Sequence, residues 1–234
     1  MKAFPLLVGA FVALSLFSCE KKQSTSNRAP DALTAERQKA LTTDSVVRAL
    51  KAGNVRFYTF KPHERNDSLR IQQTAGGQYP MAAVLSCLDS RVPPEFVFDQ
   101  GIGDLFVARI AGNISNEDIL GSFEFGCHIM GAKVIMVLGH EDCGAIKSAI
   151  DNEQLGNITA LLAKIRPAVD STQTTGERTS KNAKFVHDVM LKNIEFTIRN
   201  IRKNSPILNK MEHDKELKII GGVYDLKTGK ITFL

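Results

Sequence analysis

Apolar residues in this chain gather into three compact runs separated by chain breakers and amphipathic stretches. Met81–Ser86 (MAAVLS), Leu105–Ile110 (LFVARI) and Val134–Leu138 (VIMVL) are each of strand length, and the third is apolar at every position. Runs of this kind, set between helical segments, predict parallel strands covered on both faces. Pro93-Pro94-Glu95 offers a helix start after the first run, because proline costs nothing in a first turn. Asn116 caps a predicted helix that carries Ile119, Leu120, Phe123 and Cys127 and stops near Gly131. Ahead of the first run, Thr43-Asp44 begins a helix with an apolar stripe at Val46, Val47, Leu50 and Val55, and Gly76-Gly77 and Pro80 then break the chain. The second half reads as a helix over Leu155–Ile165 stopped by Pro167, a longer one over Ala183–Ile201, and a short one starting at Ser205-Pro206. Two strands follow, Leu217–Tyr224 and Lys230–Phe233, joined by a turn at Lys227-Thr228-Gly229. The pattern predicts one α/β domain over residues 41–234, a mostly parallel central sheet flanked by helices and closed by a C-terminal hairpin.

The N-terminal end follows a different logic. Lys2 precedes an apolar run from Ala3 to Phe17. That is about 15 residues, against the ~20 a spanning helix needs, so residues 1–18 are expected to be a cleaved secretory signal. Leu16-Phe17-Ser18-Cys19 resembles the lipobox of bacterial lipoproteins, in which the cysteine is lipidated. Residues 19–40 then form an expected flexible tether, since Glu20–Ala32 is polar and has too little apolar surface to offset its ordering entropy. The expected location is the bacterial periplasm or cell envelope, at a membrane held through lipid on Cys19.

Composition narrows the class without naming a chemistry. At 234 residues, 43% hydrophobic and 24% charged, the chain is an ordinary globular protein, which excludes collagen, coiled coil, disorder and a multi-span membrane protein. Thirty Lys+Arg against 25 Asp+Glu give +5, but without a basic block, so nucleic acid is not an expected partner. Four cysteines are too few for a disulfide scaffold.

Candidate chemistry comes from where the cysteines fall. Open parallel sheets place their sites beyond the carboxyl ends of the strands. Cys87 directly follows the first strand, and His140 and Cys143 directly follow the third. Two thiolates and an imidazole form a soft tetrahedral set suited to Zn²⁺, with one position left for water. Gly144 opens the segment after Cys143, where a helix N-terminus favours a thiolate. Asp89 and Arg91 lie on the loop after Cys87. Asp89 is placed either to fill the fourth metal position or to pair with Arg91 and leave that position open. Cys127 falls on an apolar helical position and is read as core.

Cys87-Leu88-Asp89-Ser90-Arg91 together with His140-Glu141-Asp142-Cys143-Gly144 resembles the two signature motifs of the β-class carbonic anhydrases. Gly103–Asn113 and Gly121–Phe125 resemble the segments between them. The resemblance implies zinc, one per chain, held by Cys87, His140 and Cys143, with Asp89 as an alternative fourth ligand, and zinc-bound hydroxide hydrating CO₂ to bicarbonate. It implies a homodimer or a multiple of dimers. Gln78 would reach substrate across the interface, Phe106 would form an apolar wall for CO₂, and Gly144 would offer its N–H to substrate. Leu88 and Phe125 depart from the family's common Ser and Tyr, and Val84 replaces the tryptophan of a subclass with a regulatory bicarbonate site. His63, His128, His187 and His213 are proton-export candidates by chemistry alone. Two other functions fit parts of the pattern: hydrolysis of CS₂ or COS at the same site, and a lipid-anchored thiol protein in which Cys87 and Cys143 form a redox disulfide.

Overall fold

A computed structural model describes Met1 and residues 27–234. The signal expected over residues 1–18 (Met1 aside) and the expected lipid site Cys19 lie outside the described residues. From residue 27 the chain lies on the body of the protein. Arg28 bridges to Glu64, and α1 (Ala35–Lys39), capped by Thr34, buries Gln38. The Gln38 amide donates to the carbonyls of Pro80 at 2.7 Å and Met130 at 2.9 Å. The tether expected over residues 19–40 is therefore already docked from residue 27, by Leu33 packed on the core and by polar anchors such as Gln38, which apolar patterning does not register.

The remaining elements are α2 (Thr43–Tyr58), α3 (Asp67–Thr74), β1 (Ala82–Ser86), α4 (Pro94–Val97), β2 (Leu105–Arg109), a 3₁₀ turn (Ala111–Asn113), α5 (Glu117–Glu124) continued by a π-helical turn (Phe125–Ile129), β3 (Val134–His140), α6 (Gly144–Ile150), α7 (Gly156–Leu162), α8 (Arg166–Ser171), α9 (Ala183–Asn204), α10 (Pro206–His213), β4 (Lys218–Tyr224) and β5 (Ile231–Phe233). The strands form one sheet in the order β2-β1-β3-β4-β5. The first four run parallel and β5 returns antiparallel to β4, as the hairpin predicted.

Every residue of β1 and β3 is buried, and the period of two sorts them between two cores. Ala83, Leu85, Ile135 and Val137 face α9, meeting Phe185, Val189, Met190 and Ile194. Ala82, Val84, Val134, Met136 and Leu138 face the other way, onto Val46 and Leu50 of α2 and onto Val97 and Phe98. Asn54 of α2 donates to the Val97 carbonyl at 3.1 Å and the Gly229 carbonyl at 2.9 Å, and accepts from Ile231 N–H at 2.8 Å, which ties this layer to the hairpin. On the opposite face α9 comes very close to β3: a Cβ at Gly139 would lie 2.7 Å from Ile194 Cδ1.

Three local expectations shift. The cap of α2 is Thr42, which forms a capping box with Ser45, one residue before the expected Thr43-Asp44. The helix expected over residues 155–165 is present as α7 but ends at Leu162, and Pro167 sits in the first turn of a further helix, α8, which it starts instead of merely ending the one before. The polar α3, capped by Asn66, has no apolar stripe by which to announce itself. Among the described residues no helix is long and apolar enough to cross a membrane.

Candidate metal centre

The register of the sheet decides what meets at its carboxyl edge. Ser86, the last residue of β1, pairs with both Leu138 of β3 and Arg109 of β2. Cys87 thus leaves β1 at the level where β3 runs on through Gly139 to His140. A turn with Asp142 at positive φ (56°) then carries the chain to Cys143, the cap residue of α6. The result is that Cys87, His140 and Cys143, all buried, bring one ligand atom each to within 4.8 Å of one another.

The donor set fits a zinc ion. The two sulfurs stand 3.8 Å apart, the spacing that two ~2.3 Å zinc–sulfur bonds subtend at a tetrahedral angle, and well beyond the ~2.05 Å of a disulfide. His140 Nδ1–H donates to the Glu141 carbonyl at 2.9 Å, which leaves Nε2 as the lone-pair nitrogen pointing inward. That Nε2 is buried and has no hydrogen-bond partner. An unsatisfied buried polar atom costs roughly 1–3 kcal/mol, and a metal at this point removes the deficit.

Electrostatics around the trio concentrate negative charge. A hydrogen bond from Cys143 pulls the Cys87 thiol down to about 4, with further help from His140 and from backbone N–H groups, against the effect of burial. One of those N–H groups is that of Gly112, 3.4 Å from Cys87 Sγ. Gly112 takes φ 72°, which a β-carbon would disfavour, and its carbonyl accepts from Asn193 of α9 at 2.7 Å. Cys143 is pushed upward by its bond to Cys87 and by burial. Burial alone would lower His140, but its contact with Cys87 reverses the direction and raises it. Cys127, 1% exposed, is pushed up to about 12 by burial and belongs to the core, as expected.

Asp89 lies at the rim of this cluster. Its carboxylate accepts from Arg91 Nε at 2.9 Å, Arg91 Nη2 at 2.7 Å and Arg91 N–H at 2.9 Å, and that pairing holds it down at about 2. Its Oδ2 is 3.8 Å from His140 Nε2. Of the two arrangements open to Asp89, the structure shows the one paired with Arg91. Arg91 also lines a cleft of about 1110 Å³ with Glu141, Asp142, Lys147 and Asp225.

The other expected site residues are placed differently. Gly144 is the first residue of α6, directly beside Cys143, with no atom within 4 Å of where a β-carbon would sit. Phe106 pairs with Ala83, four residues before Cys87, so it stands roughly 13 Å along the sheet from the trio. There it lines a pocket of about 740 Å³ with Phe123 and Phe125. Gln78 is exposed and lies before β1, at the opposite edge of the sheet from the trio. One residue that sequence reasoning did not single out is Arg109. It donates from Nε to the Cys87 carbonyl at 3.2 Å and from Nη2 to the carbonyls of Leu88, at 3.2 Å, and Asp89. Its signal was a lone cation closing an apolar strand.

Comparison with known proteins agrees with this geometry. The family model described as carbonic anhydrase matches residues 82–231. The chain is 32% identical over 189 residues to carbonic anhydrase 2 of Mycobacterium tuberculosis, covering 78% of this chain and 88% of that protein. The β-carbonic anhydrase of Coccomyxa, solved with acetazolamide, superposes with a TM-score of 0.64 at 27% identity over 72% of this chain and 78% of that one. A tetrameric β-carbonic anhydrase of Sordaria macrospora gives 0.63 at 22% identity over 82% and 97%, a likeness of fold.

The centre makes a direct prediction. Elemental analysis of the purified protein should find about one zinc per chain, and His140→Ala or Cys143→Ala should lower this to near zero. Full zinc content in either variant would place the metal elsewhere.

Proposed function

The chain belongs to the carbonic anhydrase family, in its β class, and on that premise we propose how its own residues serve the reversible hydration of carbon dioxide to bicarbonate and a proton. The observation that carries the proposal is the buried, unpartnered His140 Nε2 clustered with two buried sulfurs 3.8 Å apart. Zinc held there supplies a Lewis acid that makes water acidic enough to act as a nucleophile near neutral pH. Asp89, beside the trio, accepts a hydrogen bond from the reacting water and so turns its lone pair toward carbon. Arg91 decides whether Asp89 is free to do this. A carboxylate in a bidentate pair with a guanidinium, 2.7 and 2.9 Å away, would be held back from a zinc ion bound by Cys87, His140 and Cys143. The N–H of Gly144, at the start of α6, faces outward as a donor for bicarbonate oxygen.

Gln78 and Phe106 serve the site of a second copy. Neither reaches the trio of its own chain, and the face they occupy is incompletely covered. Edge strand β2 is only half-buried from Leu105 to Ala108 and exposed at Arg109, and Phe125 and Ile129 beside it are 54% and 66% exposed. A second copy laid along this face would bury them and bring its own Gln78 and Phe106 toward Cys87. The Sordaria neighbour's tetramer is consistent with assembly from such pairs. The relatives give no support to the CS₂ or COS reading. The disulfide reading leaves the unpartnered His140 Nε2 and the Asp89–Arg91 pair without a role. We propose further that residues 1–18 are removed and that lipid on Cys19 holds the protein in the bacterial envelope, on the strength of the sequence pattern described above.

Stopped-flow CO₂ hydration should show turnover that climbs above neutral pH, since two thiolates leave the metal a weaker acid than neutral imidazoles would. Asp89→Asn should lower kcat about 10²-fold with zinc retained; an undiminished rate would remove Asp89 from the reaction. Gln78→Ala and Cys87→Ser chains should each be poorly active, yet regain activity when refolded together, because a mixed pair contains one intact shared site. A mixture no better than the average of the two would show that each chain works alone. In a bacterial host fed labelled palmitate, the chain should carry label and Cys19→Ala should not; equal labelling would overturn the anchor.

A further inference from the structure

We propose that Arg109 is a positioning residue for this reaction: its guanidinium clamps the three consecutive carbonyls of Cys87, Leu88 and Asp89, and so sets where a metal ligand and the Asp89 carboxylate stand relative to each other. The inference rests on the metal reading of Cys87, His140 and Cys143.

Three observations carry it. In an extended strand successive carbonyls point to opposite sides. They converge on one cation here because the backbone bends at Leu88 immediately after β1. Arg109 reaches all three from the end of β2, where its backbone is already paired with Ser86. The clamp is thus built on the sheet and not on another loop.

Secondly, the loop is anchored at its two ends, by buried Cys87, whose sulfur takes the Gly112 N–H at 3.4 Å, and by buried Val92, but little apolar contact holds the stretch between them. Leu88 is 65% exposed, and Ser90 and Arg91 are exposed. The other polar restraints on that stretch are local: Val92 N–H to the Asp89 carbonyl at 3.1 Å, and the Arg91 bonds to the Asp89 side chain. Those fix the turn internally but do not fix it to the sheet.

Thirdly, the geometry suits arginine alone. A planar fork of five N–H donors can serve several acceptors at once, whereas a lysine ammonium is a point charge on a flexible stem. Arg109 has no carboxylate partner among the described residues, so its hydrogen-bonding capacity is directed at this loop. Its action on the reaction is indirect. It touches no side chain of the trio, only the main chain from which Cys87 and Asp89 project.

The test uses Arg109→Ala and Arg109→Lys in the full chain, loaded with Co²⁺ in place of zinc. Cobalt absorption reads the geometry of the donor set. Wild type should bind one Co²⁺ per chain. Both variants should bind it as well, but with shifted d–d and thiolate charge-transfer bands, and zinc-loaded kcat should fall roughly 10²-fold while KM changes little, as expected when reacting groups are displaced by about an ångström. Lysine should fail to rescue either readout. If Arg109→Ala does not fold, Arg109→Lys decides by the same two measurements. Wild-type spectrum and kcat in Arg109→Ala, or their full return in Arg109→Lys, would overturn the clamp while leaving the metal site standing. A wild-type chain that takes up no Co²⁺ would overturn the site itself, and the clamp with it.

Discussion

The site depends on strand register. β1 and β3 are neighbours in a parallel sheet with Ser86 opposite Leu138, so the residue after one strand and the last residue of the other reach the same edge at nearly the same level. Each side chain then needs only one further local device. Cys87 sits under the N–H of Gly112, His140 is turned by its bond to the Glu141 carbonyl, and Cys143 is returned to the cluster by the tight turn at Asp142. A slip of one residue in β3 would send His140 to the opposite face, and no adjustment of loops would bring it back.

That edge is also where charge has been gathered at some expense. Two sulfurs 3.8 Å apart and an imidazole whose Nε2 has nothing to bond are each unfavourable when buried without a cation. The same groups are favourable around a dication, so the binding energy of the metal is in part relief of a strain that the fold maintains. Asp89 occupies the boundary of this arrangement. It has two possible cationic partners, one within the site and one at its mouth, and in the structure it is bound to the second.

Much of this could be read from the chain alone, for identifiable reasons. The buried strands were apparent because parallel strands covered on both faces must be apolar throughout, and Met81–Ser86 and Val134–Leu138 are. The trio followed from the rule that such strands present their sites at one edge. What escaped notice was held by polar contacts. The docked segment before α2 depends on the amide of Gln38, the whole of α3 has no stripe, and the Arg109 clamp is made of main-chain carbonyls that no side-chain pattern reports. The helix α8 after Leu155–Ile165 went unread for a different cause, since a proline that ends one helix and a proline that begins the next look alike in sequence. Phe106 and Gln78 were assigned to the site by resemblance, and a single chain places both far from its own trio, which no pattern within one strand or loop could report.

The long helix α9 contributes no ligand, yet it abuts the site at three separate points. Ile194 presses on Gly139 just ahead of His140, Asn193 holds the Gly112 carbonyl, and the His187 ring meets the Glu141 carboxylate at 2.9 Å. The helix therefore works as a ruler laid along the donor set, fixing heights that the short loops could not fix themselves. The heights of the donor set are thus held in part by a helix that begins only at Ala183, well beyond the last of the three donors.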